Sequence, residues 1–237
     1  MKQKITEIIL KIIFWDFGNV IVPFKVDELK LSLASLFRVS WRDVSHVLNS
    51  KISIQPGRFP KLFWQSIESD EWAPVAIYDI LCKRFRTKPH FDDFIVAFNK
   101  AFREDVEHSA LFLNLSRRIR ESGYLQGLIS NANVMHQAEM RGKFGYLLRY
   151  MHPQLLFFSC DREGRKSESP IFFENIFSEV TGNFGVQKEH MIFVDDRDDN
   201  ITGCKKAGVI ALQFSTAAGI LELEEEFEKY GFVIKQN

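Results

Sequence analysis

The chain has 237 residues, 46% of them hydrophobic and 26% charged, which suits a folded globule with a sizeable core and excludes a disordered chain. Lys plus Arg and Asp plus Glu both number 31, so no bulk charge draws in nucleic acid or an anionic membrane surface. Cys82, Cys160 and Cys204 fit neither metal-ligand spacing nor a disulfide framework, and suit a reducing cytoplasm.

Lys2 and Lys4 precede an apolar segment, but Lys11 and Asp16 interrupt it and no small-residue cleavage site follows. It is too short to span a bilayer and reads as the first strand, not a signal. Ile12-Ile13-Phe14-Trp15 is an unbroken apolar run, the pattern of a strand buried on both faces of a parallel sheet. Asp16 closes it, and Gly18-Asn19 supplies a turn able to aim backbone N–H groups at an anion.

After Val22 the pattern becomes amphipathic and stays helical for roughly 80 residues. Val26, Leu29, Leu33, Leu36 and Phe37 share one helical face, and Ser40-Trp41-Arg42-Asp43 reads as the next helix start. Gln55 to Arg58 reads as a loop. Leu62, Phe63 and Ile67, then Ile77, Ile80 and Leu81, predict two further helices, and Phe91 to Phe102 a strongly amphipathic one. No strand is expected in this region, which looks like a small helical bundle inserted after the first strand.

From Glu107 the chain alternates helices and strands. A helix about Leu111, Leu115 and Ile119 precedes a strand over Tyr124–Ile129, and another helix is expected to run through Phe144. Strands follow at Leu155–Phe158, Met191–Val194 and Val209–Phe214, with a helix about Phe172, Ile176 and Val180 between the first two. The last stretch, Leu221 to Tyr230, reads as a peripheral acidic helix. Such alternation predicts βαβ units and a parallel sheet. The basic clusters Lys83-Arg84-Phe85-Arg86 and Arg117-Arg118-Ile119-Arg120 read as solvated helix faces.

Comparing the strand ends brings out chemistry. One ends at Asp16, one at Ser130, one at Asp195-Asp196, and Lys166 follows the strand closing at Ser159. In a parallel sheet those ends lie on one edge, so the residues can converge. A carboxylate nucleophile, a hydroxyl, a lysine and an acidic pair suit phosphoryl transfer through an aspartyl-phosphate on Asp16. Three carboxylates beside one lysine would repel phosphate without a hard cation, and Mg²⁺ meets that need.

The order Asp16-Phe17-Gly18-Asn19-Val20, Ser130-Asn131, Lys166, Val194-Asp195-Asp196 and Asn200 resembles the haloacid-dehalogenase-like (HAD) hydrolase superfamily. It is closest to the branch whose first motif reads Asp-x-Gly-Asn-Val, which includes glucose-1-phosphate phosphatases. The resemblance implies an α/β fold, a Rossmann-like parallel-sheet core at residues 1–24 and 106–237 with a helical cap inserted at 25–105. It implies Asp16 as nucleophile and metal ligand, the Gly18 carbonyl and Asp196 as further Mg²⁺ ligands, and Asp195 as a direct or water-mediated one. Ser130, Asn131 and Asn19 would bind phosphate, Lys166 would pair with phosphate and Asp16, and Asn200 would orient its neighbours. In the cap, Arg58 and Trp64 are candidates to meet substrate. His136 lies near Ser130 in sequence but reads as a core or surface histidine.

Three departures stand out. Gly18 occupies the position where most members have a second Asp, the general acid and base. Trp15 stands where the branch has Phe, and Ser167 follows Lys166 where Pro is usual. Without an acid at position 18, either a water or a cap group supplies the proton, or the preferred substrates are those whose leaving groups depart easily: anomeric sugar phosphates, acyl phosphates and aryl phosphates. The expected function is a Mg²⁺-dependent phosphatase of a small phosphorylated metabolite, with a sugar phosphate favoured by the resemblance. Its alternatives are a metal-free dehalogenase and a catalytically weak binding or regulatory protein on the same fold.

Overall fold

Ile12, Ile13, Phe14 and Trp15 form β1 (Ile12–Trp15), and each side chain is buried. Burial on both faces is why the segment carries no polar alternation. The structure is a computed structural model that describes residues 10–52, 61–68, 72–162, 164–166, 170–216 and 219–236.

Beyond β1 come α1 (Val26–Phe37), α2 (Trp41–Leu48), a short hairpin of β2 (Lys51–Ile52) and β3 (Lys61–Leu62), α3 (Phe63–Glu68), α4 (Pro74–Phe85) and α5 (Phe91–Asn99). The α/β part then runs through α6 (Val106–Glu121), β4 (Leu125–Ser130), α7 (Val134–Arg141), β5 (Leu156–Phe158) and α8 (Pro170–Phe184). It closes with β6 (Met191–Asp195), α9 (Asp198–Lys206), β7 (Ile210–Gln213) and α10 (Ile220–Lys229).

The five long-range strands pair in the order β5-β4-β1-β6-β7, all parallel. Trp15 sits opposite Leu128 on one side and Val194 on the other, so three strands end nearly level. Ile13 and Trp15 face a core shared with α6 and α10, including Phe112, Ile119 and Phe227. Ile12 and Phe14 face the opposite core, with Phe173 and Phe177 of α8 and Cys204 of α9. The period-two alternation of β1 therefore survives as a division between two cores, forming a three-layer α/β/α arrangement.

Two details show how tightly β1 is seated. The Trp15 indole N–H donates to Gln126 Oε1 at 3.3 Å, and the buried Gln126 amide exchanges hydrogen bonds with Ser116. That polar partner explains how the larger ring is accommodated in place of Phe. Beside it, a β-carbon at Gly127 would come within 2.6 Å of Leu155 O and of the Phe14 ring, so the sheet needs glycine there.

A third apolar cluster joins α1 through α5, with Leu33, Phe37, Phe63, Leu81, Phe94 and Phe98 at its centre and Met135 of α7 added from the sheet side. The chain crosses between this helical layer and the sheet on two adjacent segments. Lys25 N–H donates to Ala101 O at 2.7 Å and Arg103 N–H to Pro23 O at 3.0 Å.

Four expectations need correction. The β2–β3 hairpin interrupts the helical region; with two residues per strand it has no periodicity to read. The helix expected through Phe144 stops at Arg141, and a 3₁₀ turn over Gly145–Leu148 follows, because Gly142 breaks the run. Helix α10 is acidic but not peripheral, since Leu223 and Phe227 are buried against the sheet. Arg118 is not solvated: its guanidinium forks onto Glu224 at 2.7 and 2.6 Å and donates to Lys235 O at 2.8 Å. Among the described residues, no helix is long and apolar enough to cross a membrane, and the three cysteines are free.

Candidate active site

The level ends of β4, β1 and β6 deliver Ser130, Asp16 and Asp195 to one edge of the sheet. Asp16 continues the ladder, its N–H donating to Val194 O at 2.8 Å, so its carboxylate is held by sheet geometry rather than by a loop. Lys166 arrives from the segment between β5 and α8. Its N–H donates to Asn131 Oδ1 at 3.1 Å, which ties that segment to the end of β4.

The Lys166 ammonium lies 2.6 Å from Asp16 Oδ1 and 2.6 Å from Asp195 Oδ2, with all three side chains buried. Asn200 Nδ2 donates to both Asp195 oxygens at 2.9 and 3.1 Å, and Arg197 N–H adds a third bond at 2.9 Å. Asp195 is thus saturated with donors. Asp196 is held from the other side, accepting from Asn19 Nδ2 at 3.0 Å. Asn19 has a left-handed backbone (φ 58), and its Oδ1 takes the Phe24 N–H at 2.9 Å, so its side chain braces the turn after β1 against Asp196.

One oxygen from each of Asp16, Asp195 and Asp196 lies within 4.8 Å of the others. Burial pushes the Asp16 carboxyl up, to about 7; the Lys166 ammonium opposes this, and the Asp195 charge adds to it. Burial also raises Asp196, against the hydrogen bond from Asn19. For Lys166, burial favours the neutral amine, but Asp16 and Asp195 outweigh it and hold the ammonium above its ordinary value. Three carboxylates facing one ammonium leave uncompensated negative charge, and the hard oxygen donors suit a cation such as Mg²⁺.

A cavity of about 360 Å³ opens over this cluster, lined by Asp16, Gly18, Asn19, Ser130, Asn131, Lys166, Asp196 and Asn200. Ser130 is buried, and its hydroxyl makes no hydrogen bond to a described residue. Nor does it cap α7, a role that falls to Asn133. Trp64 of α3 also lines the cavity, whereas Arg58 and Ser167 lie outside the described residues. His136 is a buried cavity residue rather than a surface one, set among Phe24, Phe98 and Phe102. Burial pushes its imidazole down to about 4, against a backbone hydrogen bond at Phe98.

Sequence reading missed Phe24, Val26, Phe102, Met140 and Arg197 as lining residues. Phe24 lies close behind the first motif, after Ile21-Val22-Pro23, and could have been suspected. Phe102 and Met140 belong to separate elements that only folding brings together.

No protein-family model matches the chain, and a search of curated proteins finds no match. Solved structures do match. A HAD family enzyme from Bacteroides thetaiotaomicron superposes with a TM-score of 0.68 at 18% identity, over 91% of this chain and 98% of that one. The same wild-type enzyme in complex with magnesium and inorganic phosphate matches with a TM-score of 0.67 at 18% identity, over 90% and 98%. A predicted HAD-like family hydrolase from Porphyromonas gingivalis gives 0.67 at 16% identity, over 93% and 98%. The protein therefore has the fold of HAD-family hydrolases, with a five-stranded parallel sheet.

Proposed function

We propose that this protein is a Mg²⁺-dependent phosphatase acting on a small phosphorylated metabolite through an aspartyl-phosphate on Asp16. One observation carries the reading: Lys166 lies 2.6 Å from both Asp16 and Asp195, with Asp196 alongside, at the carboxyl edge of a parallel sheet. The structural neighbour holding magnesium and phosphate supports it.

In this reading Asp16 attacks phosphorus in line with the departing oxygen. Lys166 keeps Asp16 oriented and offsets charge on the phosphoryl oxygens as it develops. The Ser130 hydroxyl, without a partner among the described residues, donates to one of those oxygens, while Asn131 anchors the Lys166 segment. Asp16, the Gly18 carbonyl and Asp196 would hold Mg²⁺, with Asp195 direct or through water; Asn200 and Asn19 orient the carboxylates. Bound there, Mg²⁺ supplies charge neutralisation and draws the phosphate to an otherwise anionic edge.

The division into a core at 1–24 and 106–237 and a cap at 25–105 belongs to the same proposal. The paired crossing segments at Pro23–Lys25 and Ala101–Arg103 support it, being placed to let the helical layer move over the cavity. A sugar phosphate as substrate rests on the first motif alone. Metal-free dehalogenation would leave Asp196 without a task.

A screen of phosphorylated metabolites with and without Mg²⁺ tests the proposal. Phosphate release that requires Mg²⁺ supports it. Full activity in excess chelator removes the metal from the scheme, and absence of release from every phosphate removes the phosphatase.

A further inference from the structure

The cavity has two unlike halves. Its charged lining side chains, Asp16, Lys166, Asp196 and Arg197, all come from the sheet edge. Facing them, among the described residues, are Phe24, Val26, Trp64, Phe102, Met140 and His136. Trp64 stacks on Phe98 with ring centroids 6.1 Å apart and 27° between planes, so a flat face is held in place by the helical core. Phe24 meets Phe102 edge-on at 5.1 Å and His136 at 5.6 Å. With the His136 imidazole neutral, the described residues of this wall carry no charge at neutral pH.

The wall also explains position 18. A β-carbon built on Gly18 would lie 3.3 Å from Phe24 Cβ and 3.6 Å from its Cγ. An aromatic side chain thus crowds the ground that an acidic side chain would need, and the Phe24 N–H bond to Asn19 fixes its backbone. The same substitution that lacks a proton donor presents a ring to the leaving group.

We propose that this wall receives an uncharged aromatic ring, which makes the substrate class aryl phosphate monoesters rather than sugar phosphates. The inference rests on the phosphatase reading and deepens it. Sugar hydroxyls pressed against the described wall would lose water and gain few partners, since among its described residues only Trp64 and His136 carry side-chain nitrogens. A flat ring loses no hydrogen bond there and gains stacking on Trp64.

The chemistry agrees. An Asp16 oxygen bonds to phosphorus as the P–O(aryl) bond breaks, and the electron pair leaves on an aryloxide that takes its proton from water. A second water then attacks phosphorus as the bond to Asp16 breaks, one of its protons going to the hydroxide left by the first water, and hydrogen phosphate departs. A phenol has a pKa of about 10, as in tyrosine, well below that of a simple alkyl alcohol. The aryloxide therefore needs less help from an absent acid than an alkoxide does.

Kinetics of the full chain with Mg²⁺ on phenyl phosphate, 1-naphthyl phosphate, acetyl phosphate and glucose 1-phosphate decide the matter. Acetyl phosphate has a good leaving group without a ring, which separates recognition from leaving-group ability. The expected kcat/KM for both aryl esters is at least about tenfold above the other two. Trp64→Leu is expected to cut the aryl esters about fivefold more than acetyl phosphate, chiefly through KM. Uncleavable phenylphosphonate should inhibit the wild type about tenfold more tightly than methylphosphonate. This binding readout still decides if the variant does not fold. Equal or faster turnover of glucose 1-phosphate or acetyl phosphate, or equal inhibition by the two phosphonates, overturns the aryl assignment and leaves the phosphatase standing. Hydrolysis of none of the four phosphates overturns the phosphatase reading itself.

Discussion

The sheet edge and the helical layer meet at one cavity but are built on opposite principles. At the edge, buried Lys166 pairs with buried Asp16 and Asp195, and half-buried Asp196 beside them leaves negative charge uncompensated. Across from them, α1 to α5 contribute an apolar cluster whose rings face inward and, at Trp64, into the cavity. The first region carries charge that burial makes costly, which is retained where function requires it. The second holds its shape by apolar packing. In the proposed scheme the difference assigns reaction type to the sheet edge and substrate choice to the apolar wall. It follows that substitutions on the two sides should fail differently.

The largest effect is expected at the edge. Asp16→Asn should lower phosphate release at least about a thousandfold, because an amide cannot attack phosphorus. Removing a buried charge should leave the fold intact. Phosphate assays beside circular dichroism check both halves, and near-normal activity would end the proposal.

Arg118→Ala probes the sheet side away from the cavity. It strands Glu224, whose partner side chain is only 6% exposed, and removes the link to Lys235. A loss of about 3 kcal/mol in urea unfolding is expected, with KM unchanged. A loss below half that value would mean that solvent reaches Glu224 easily.

Mg²⁺ should stabilise the protein by about 2.7 kcal/mol at a hundredfold excess over its dissociation constant, seen as a rise in Tm. Asp196→Ala should abolish most of the rise. Asp16, pushed up to about 7, is protonated below that pH and must lose its proton to hold a metal, so the rise should shrink on acidification. A pH-independent rise would exclude Asp16 as a ligand.

The smallest effect belongs to the aromatic side. The unfolded chain protonates His136 below its ordinary value of 6.5, whereas the folded chain does so only near 4. Its contribution is full above 6.5 and is lost as pH falls towards 4. By pH 5 the loss is about 2 kcal/mol. Asp16 titrates with the opposite sign, so the quantity to measure is the difference between wild type and His136→Met at each pH. A constant difference from pH 7 to 5 would show that the imidazole is protonated in the folded protein.

Much of this was legible in the sequence because it is local. The apolar run before Asp16, the Ser130 strand end and the Asp195-Asp196 strand end follow from period and turn chemistry. A parallel sheet then forces those ends onto one edge. Trp15 could be recognised as a packing residue, but not its hydrogen bond to Gln126, which lies 111 residues away. The burial of Arg118 was equally invisible, since its partner Glu224 sits 106 residues on.

By itself, then, the sequence determined the order of elements, the α/β class and the residues that meet at the sheet edge. Hydrophobic period, strand termini and chain connectivity are properties of neighbouring residues. Only the tertiary structure decided that Lys166 bridges two carboxylates, that Asn19 braces Asp196, and that Phe24 crowds the space beside Gly18. It also decided that Trp64, Phe102 and His136 share a wall. Such contacts join segments far apart in the chain, and their energy comes from packing that no local pattern encodes.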